Sequence, residues 1–141
     1  MIIKVSKRSK RLVICLGVVI LLLIVLVSAV MYNMHQTTKA LNEIVIQSTP
    51  LKDLLLHLPD GEYIGQCTPS KMVGAKVKVI VKDHSIHTID LLEHNTGKGK
   101  PAEIIPDQVV KAQSLAIDAV SGATGSSKVI LKAIENALKV P

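Results

Sequence analysis

Val73-Gly74-Ala75-Lys76-Val77-Lys78-Val79-Ile80-Val81-Lys82 is the stretch on which the fold turns. Val73, Ala75, Val77, Val79 and Val81 fall on one face of an extended chain, and Gly74, Lys76, Lys78, Ile80 and Lys82 on the other. A period of two with β-branched residues on one side predicts a strand buried on one face and solvated on its lysine face. Asp83-His84 reads as a turn, and Ser85 to Leu92 as the returning strand. Upstream, Asp60-Gly61 is a turn signal, followed by Glu62-Tyr63-Ile64-Gly65 as a short strand. Downstream, Ile104 to Gln113 predicts a helix whose start Pro106 constrains. The last element is the clearest helix: Val129, Ile130, Ala133, Ile134, Ala137 and Leu138 form one stripe, with Lys128, Lys132, Glu135, Asn136 and Lys139 opposite. Strands followed by helices predict an α+β domain, a small antiparallel sheet with two packed helices. With so few aromatic residues its core must be aliphatic.

Outside this domain the composition changes sharply. The chain of 141 residues carries 17 Lys and Arg against 11 Asp and Glu, a formal net charge of +6. Lys4, Lys7, Arg8, Lys10 and Arg11 supply five of those charges, and the remaining 12 basic against 11 acidic residues leave +1. A basic nucleic-acid-binding domain is therefore excluded. Residues 12–31 hold 18 apolar residues in 20, broken only by Gly17 and Ser28. Twenty helical residues span about 30 Å, the hydrocarbon thickness of a bilayer. The run is long for a signal-peptide core, and Ser28-Ala29-Val30-Met31 makes a poor cleavage site. Positive charge before the span and little just behind it predict a cytoplasmic N-terminus and an extracytoplasmic C-terminal part. The expected organisation is a basic flank (1–11), a single transmembrane helix (12–31), a helical stalk (32–58) and the folded domain (59–141). In the stalk Leu41, Ile44 and Val45, then Leu51, Leu54, Leu55 and Leu58, recur near helical spacing. Thr49 is the expected cap of its second helix, with Pro50 at the first helical position. Cys15 in the membrane and Cys67 outside cannot pair within one chain, and Cys67 reads as a half-buried small residue.

Chemistry has one promising address. Asp118-Ala119-Val120-Ser121-Gly122-Ala123-Thr124-Gly125-Ser126-Ser127 is a small-residue loop feeding a helix N-terminus. Free N–H groups of a first turn favour an anion there, and Thr124, Ser126 and Ser127 add hydroxyls. The plain alternative is that Ser126 or Ser127 simply caps the last helix. Other constellations are weak. His84 and His87 lie on opposite faces of a strand, and with His94 they read as exposed turn histidines rather than a metal site. Gly97-Lys98-Gly99-Lys100 lacks the Ser or Thr of a nucleotide loop and reads as solvated. Tyr63, the one aromatic residue of the domain, is either a flavin-stacking ring or a core or sheet-edge residue. No general acid/base pair stands out.

The order Asp118-x-x-Ser121-Gly122-Ala123-Thr124-x-Ser126-Ser127, leading into an Ala- and Leu-rich helix, resembles the FMN-binding domain family. That family includes extracytoplasmic subunits of sodium-pumping NADH:quinone reductase and of the Rnf electron-transport complex. The resemblance runs over residues 59–140 and takes in Asp60-Gly61-x-Tyr63-x-Gly65 and Gln113-Ser114. It implies FMN linked by phosphoester to Thr124, with Ser121, Gly122, Ala123 and Ser126 around it and Asp118 in the segment recognised by an FAD-dependent flavin transferase. It implies electron transfer on the outer membrane face, fed by a membrane quinol or membrane reductase, rather than a stand-alone enzyme. The loop from Glu93 to Lys100 departs from the Glu-Thr-Pro-Gly loop of the pump subunits and resembles small stand-alone members, so Thr96 and Gly97 are assigned no flavin contact. Lys98 or Lys100 near a flavin would favour its anionic reduced form. The alternative is the same fold without flavin, a membrane-tethered accessory module.

Overall fold

The computed structural model describes residues 7–45 and 50–139. Lys4 of the expected basic flank, the expected cap Thr49 and the last two residues of the expected domain lie outside them. The chain divides into two units, Met1–Gln36 and Thr37–Pro141. In the first, helix α1 (Lys7–Asn42) begins, and every side chain from Val13 to Gln36 is exposed. A helix apolar on all sides and covered by no protein belongs in hydrocarbon rather than water. Among the described residues it is the one helix long and apolar enough to cross a membrane.

The second unit is α+β. After helix α2 (Leu51–His57) come strands β1 (Gly61–Ser70), β2 (Val73–Lys82) and β3 (Ser85–Asn95). They form one antiparallel sheet in the order β1-β2-β3. A 3₁₀ turn (Lys100–Ile104) and helices α3 (Ile105–Ala112) and α4 (Thr124–Leu138) follow. The valine alternation of β2 behaves as its pattern requires: Ala75, Val77, Val79 and Val81 are 3% exposed or less. On the opposite face Lys78 lies between Glu62 (3.6 Å) and Asp90 (3.5 Å). Helix α4 covers β1 and β2, and α3 covers β3. Asp83 and His84 join β2 to β3 with φ of 51° and 55°, the doubly left-handed geometry of a two-residue hairpin turn. Pro50 precedes α2 rather than starting it, since the helix begins at Leu51.

Three local expectations need correction. Strand β1 runs to Ser70 rather than ending at Gly65, because Gln66 and Cys67 stay in register with Lys76 and Ala75. Pro69 falls in the irregularity that follows, on an edge strand where a missing N–H is tolerated. Glu135 is not on a solvated face: it is 1% exposed, between Lys132 (2.9 Å) and Lys139 (2.5 Å). Those lysines sit one turn before and after it, so the carboxylate loses water while keeping two charge-assisted partners. Lys132 also donates to the Val45 carbonyl at 3.1 Å, tying the segment after α1 to α4. His94 is no exposed turn residue. Paired with Ala75, it lies on the buried side of β3 with its side chain 4% exposed and Nδ1 3.2 Å from Glu103 Oε1.

Residues 37–58 contribute to the core. Leu51, Leu55 and Leu58 are buried, and Leu41 and Ile44 pack against them and their neighbours. His84 Nδ1 lies 3.0 Å from the Leu55 carbonyl oxygen, linking α2 to the hairpin turn.

Candidate functional site

The Asp118–Ser127 segment folds as a turn locked onto a helix start. The Ala123 N–H donates to the Val120 carbonyl at 2.9 Å, closing a four-residue turn. Gly122, at its third position, has φ of 76°, which a type II turn requires. Space is not the reason for this glycine, since a Cβ there would meet nothing within 4 Å. Ser127 is fully buried and joins the turn to the helix: its Oγ accepts the Val120 N–H and donates to the Ala123 carbonyl, both at 3.0 Å.

This arrangement decides the roles of the hydroxyls. Neither Ser126 nor Ser127 caps α4. The cap position is Ala123, which is buried, and no side chain caps the helix. The first N–H groups of α4 are therefore left to a ligand or to water. Ser126 is 6% exposed, and its Oγ lies 3.0 Å from Thr96 Oγ1, which in turn accepts the Gly99 N–H at 2.7 Å. A Cβ on Gly99 would come within 1.8 Å of Ser126 Oγ, so the loop of residues 96–99 is packed onto α4 rather than solvated. Thr124, the first residue of α4, is exposed, as are Ser121, Gly122 and Asp118. Beside it Leu41 packs on Gly125, where a Cβ would lie 3.0 Å from Leu41 Cδ1.

A groove of about 730 Å³ adjoins this segment. Ile104, Gln108 and Lys111 line one side and Ile117, Asp118 and Val120 the other. Gln113 shapes it: the residue ends α3 in a left-handed conformation, with φ of 48°. Its side chain accepts the Ile86 N–H at 2.9 Å and donates to the carbonyls of Ile86 (2.8 Å) and Val110 (2.7 Å). The chain then doubles back along α3. Sequence reasoning found Asp118 but missed Ile104, Gln108 and Lys111, whose nearness to it depends on this reversal.

Tyr63 is not at this site. Its hydroxyl donates to the Pro59 carbonyl at 2.6 Å. Its strand meets α4 at Ala133 and Ala137, where a Cβ on Gly65 would lie 2.1 and 2.4 Å from their backbone atoms. Those positions are nine and thirteen residues beyond Thr124, about 14 to 20 Å along a helix. Nor is Cys67 an activated thiol, since burial pushes its pKa up and the Lys132 ammonium only partly opposes that. Among the described residues no three His, Cys, Asp or Glu side chains gather to hold a metal ion.

Fold and site together define a small α+β domain that presents one exposed hydroxyl at an uncapped helix start, beside a mixed apolar and polar groove. The family model for the FMN-binding domain matches residues 72–139, and over these residues the chain is a member of that family. FMN is the cofactor this assignment supports, and the site fits it: the open first turn of α4 offers N–H groups to a phosphate, and the groove lies alongside. No curated protein matches the chain.

Proposed function

We propose that this protein is a membrane-anchored electron carrier whose FMN is joined by a phosphoester to Thr124. The observation that carries this reading is the exposure of Thr124 at the first position of α4, behind a turn that Gly122 and Ser127 hold rigid. The flavin supplies reversible electron transfer, while the protein supplies attachment and orientation. An FAD-dependent transferase would recognise the exposed face of Asp118, Ser121 and Gly122. In the transfer the Thr124 oxygen forms a bond to the phosphorus of the FMN half of FAD, the pyrophosphate bond breaks, and AMP leaves as the hydroxyl gives up its proton. Ala123 and Ser126, both buried, act by holding the helix start in place. Helix α1 would anchor the chain with its N-terminus in the cytoplasm, and the domain outside would take electrons from a membrane quinol or membrane reductase. A covalent link suits that compartment, where a dissociated cofactor is lost.

Co-expression of the full chain with an FAD-dependent flavin transferase tests the reading. The intact mass should rise by that of FMN less one water, and the denatured band in a gel should fluoresce. Thr124→Val should lose both signals. An unmodified wild-type mass, or fluorescence persisting on the band of the Thr124→Val variant, rejects the assignment.

A further inference from the structure

We propose that the groove between α3 and residues 116–120 seats the flavin ring and that Lys111 raises its reduction potential. This inference rests on attachment at Thr124, which sets what can reach the groove. The turn from Val120 to Ala123 keeps its end Cα atoms within about 7 Å. Thr124 follows one Cα step later, about 3.8 Å on. Val120, part of the groove wall, is thus within about 11 Å of the attachment residue, a span that a phosphate and ribityl chain bridges. On the other flank of Thr124 the loop of residues 96–99 is packed against Ser126 and leaves no room.

The groove's size and lining match the ring. Its volume of about 730 Å³ falls in the range of roughly 300–1,000 Å³ typical of small-molecule sites. Ile104, 50% exposed, is a large aliphatic side chain with no protein cover, and Ile117 and Val120 extend the apolar wall. These suit the dimethylbenzene end of an isoalloxazine. Gln108, Lys111 and Asp118 suit its hydrogen-bonding pyrimidine end.

Two charges line the groove, the Lys111 ammonium and the Asp118 carboxylate, and among the described residues neither forms an ion pair. Reduction by two electrons with uptake of one proton adds one negative charge to a bound flavin ring. A cation beside the ring stabilises that charge and an anion opposes it. Lys98 and Lys100, the cations expected from sequence, do not line the groove. Lys111 is therefore the tuning residue.

The test uses the full chain in detergent with FMN attached, titrated by spectroelectrochemistry. Lys111→Gln should make the anionic reduced form about tenfold less favourable, a fall of about 30 mV for a two-electron couple. It should also raise the pH at which the reduced ring loses its second proton. Lys111→Arg should restore both values, and Lys98→Gln should leave them unchanged. An unmoved potential in Lys111→Gln, or an equal shift in Lys98→Gln, overturns the role of Lys111. A second variant addresses the seat without charge: Ile104→Trp places a strong flavin quencher in a domain without Trp or Phe, and the fluorescence lifetime of the tethered flavin should fall. An unchanged lifetime overturns the seat. Intact masses keep the layers apart, because a missing adduct on the wild-type chain refutes attachment, whereas an adduct with unmoved potential and lifetime refutes only this inference.

Discussion

Replacing Ser127 with Ala should loosen the presentation of Thr124 without touching the nucleophile. Ser127 is fully buried, and its hydroxyl makes two hydrogen bonds of 3.0 Å. The two losses are unequal. The Ala123 carbonyl keeps the backbone N–H of Ser127 at 2.9 Å, so it stays satisfied. The part-buried Val120 N–H loses its hydroxyl partner, and an unmet buried donor costs about 1–3 kcal/mol. Taking about 2 kcal/mol, and about 4–8 °C per kcal/mol for a domain near 100 residues, the melting temperature should fall by about 8–16 °C. Far-UV circular dichroism of the full chain in detergent reads that shift. The time course of FMN incorporation with the transferase should be slower than for wild type. Ser121→Ala is the matched control: Ser121 is exposed, and its loss should leave stability within about 0.5 kcal/mol while still slowing incorporation through the recognised surface. A Ser127→Ala protein that melts with the wild type and incorporates FMN at the same rate would refute the claim that this hydroxyl holds the turn.

Two further outcomes follow from packing and burial. Gly65→Ala should destabilise by about 3 kcal/mol, at the upper end of overpacking costs, because the new Cβ would lie 2.1 Å from the Ala133 carbonyl oxygen of α4 and no rotamer relieves a backbone clash; a urea midpoint equal to wild type would show that α4 does not lie on β1 here. In a Cys15→Ser background, Cys67 should react slowly with alkylating reagents at neutral pH and rapidly once the chain is denatured, since burial raises its pKa. The fold favours the protonated thiol, so its contribution to stability is present at neutral pH and is lost as pH rises through the folded-state pKa. Equal native and denatured labelling rates would contradict the burial.

Legibility followed how local each feature is. Strand β2 could be read directly because it is the central strand, flanked on both sides and strictly alternating. Strand β3 was harder, for its pairing with β2 shifts twice, leaving His87 and Leu92 as extra residues, so its buried positions step from Ile86 to Ile89 and from Leu91 to His94. A period-two reading has no way to foresee those steps, which is why His94 looked like a loop residue. Glu135 was misplaced for another reason: helical periodicity reports the angle of a side chain, and its burial depends on Lys132 and Lys139 closing over it. The turn before Thr124 was readable because a positive φ at Gly122 and an entry into a helix are written in adjacent residues. The groove was not, since its two walls meet only because Gln113 reverses the chain through bonds to Ile86, 27 residues away.

The scarcity of aromatic residues then acquires a physical meaning under the proposed function. A freely dissociating flavin needs a site that supplies its whole binding energy, commonly through an enclosed pocket with aromatic faces. Here the groove is shallow and aliphatic, Tyr63 lies at the far end of α4, and no Trp or Phe exists in the chain. A tether changes that requirement. Covalent linkage at Thr124 converts ring binding into an intramolecular step, with an effective concentration in the millimolar range for a short flexible link. Modest contacts from Ile104, Ile117 and Val120 then suffice to keep the ring seated, and an open groove leaves its edge accessible to a redox partner. The rigidity of the turn matters more in such a design than the depth of the pocket, because the position of Thr124 fixes where the ring can go. That rigidity comes from Gly122, Ala123 and Ser127, and of these Ser127 alone contributes it through a side-chain hydroxyl.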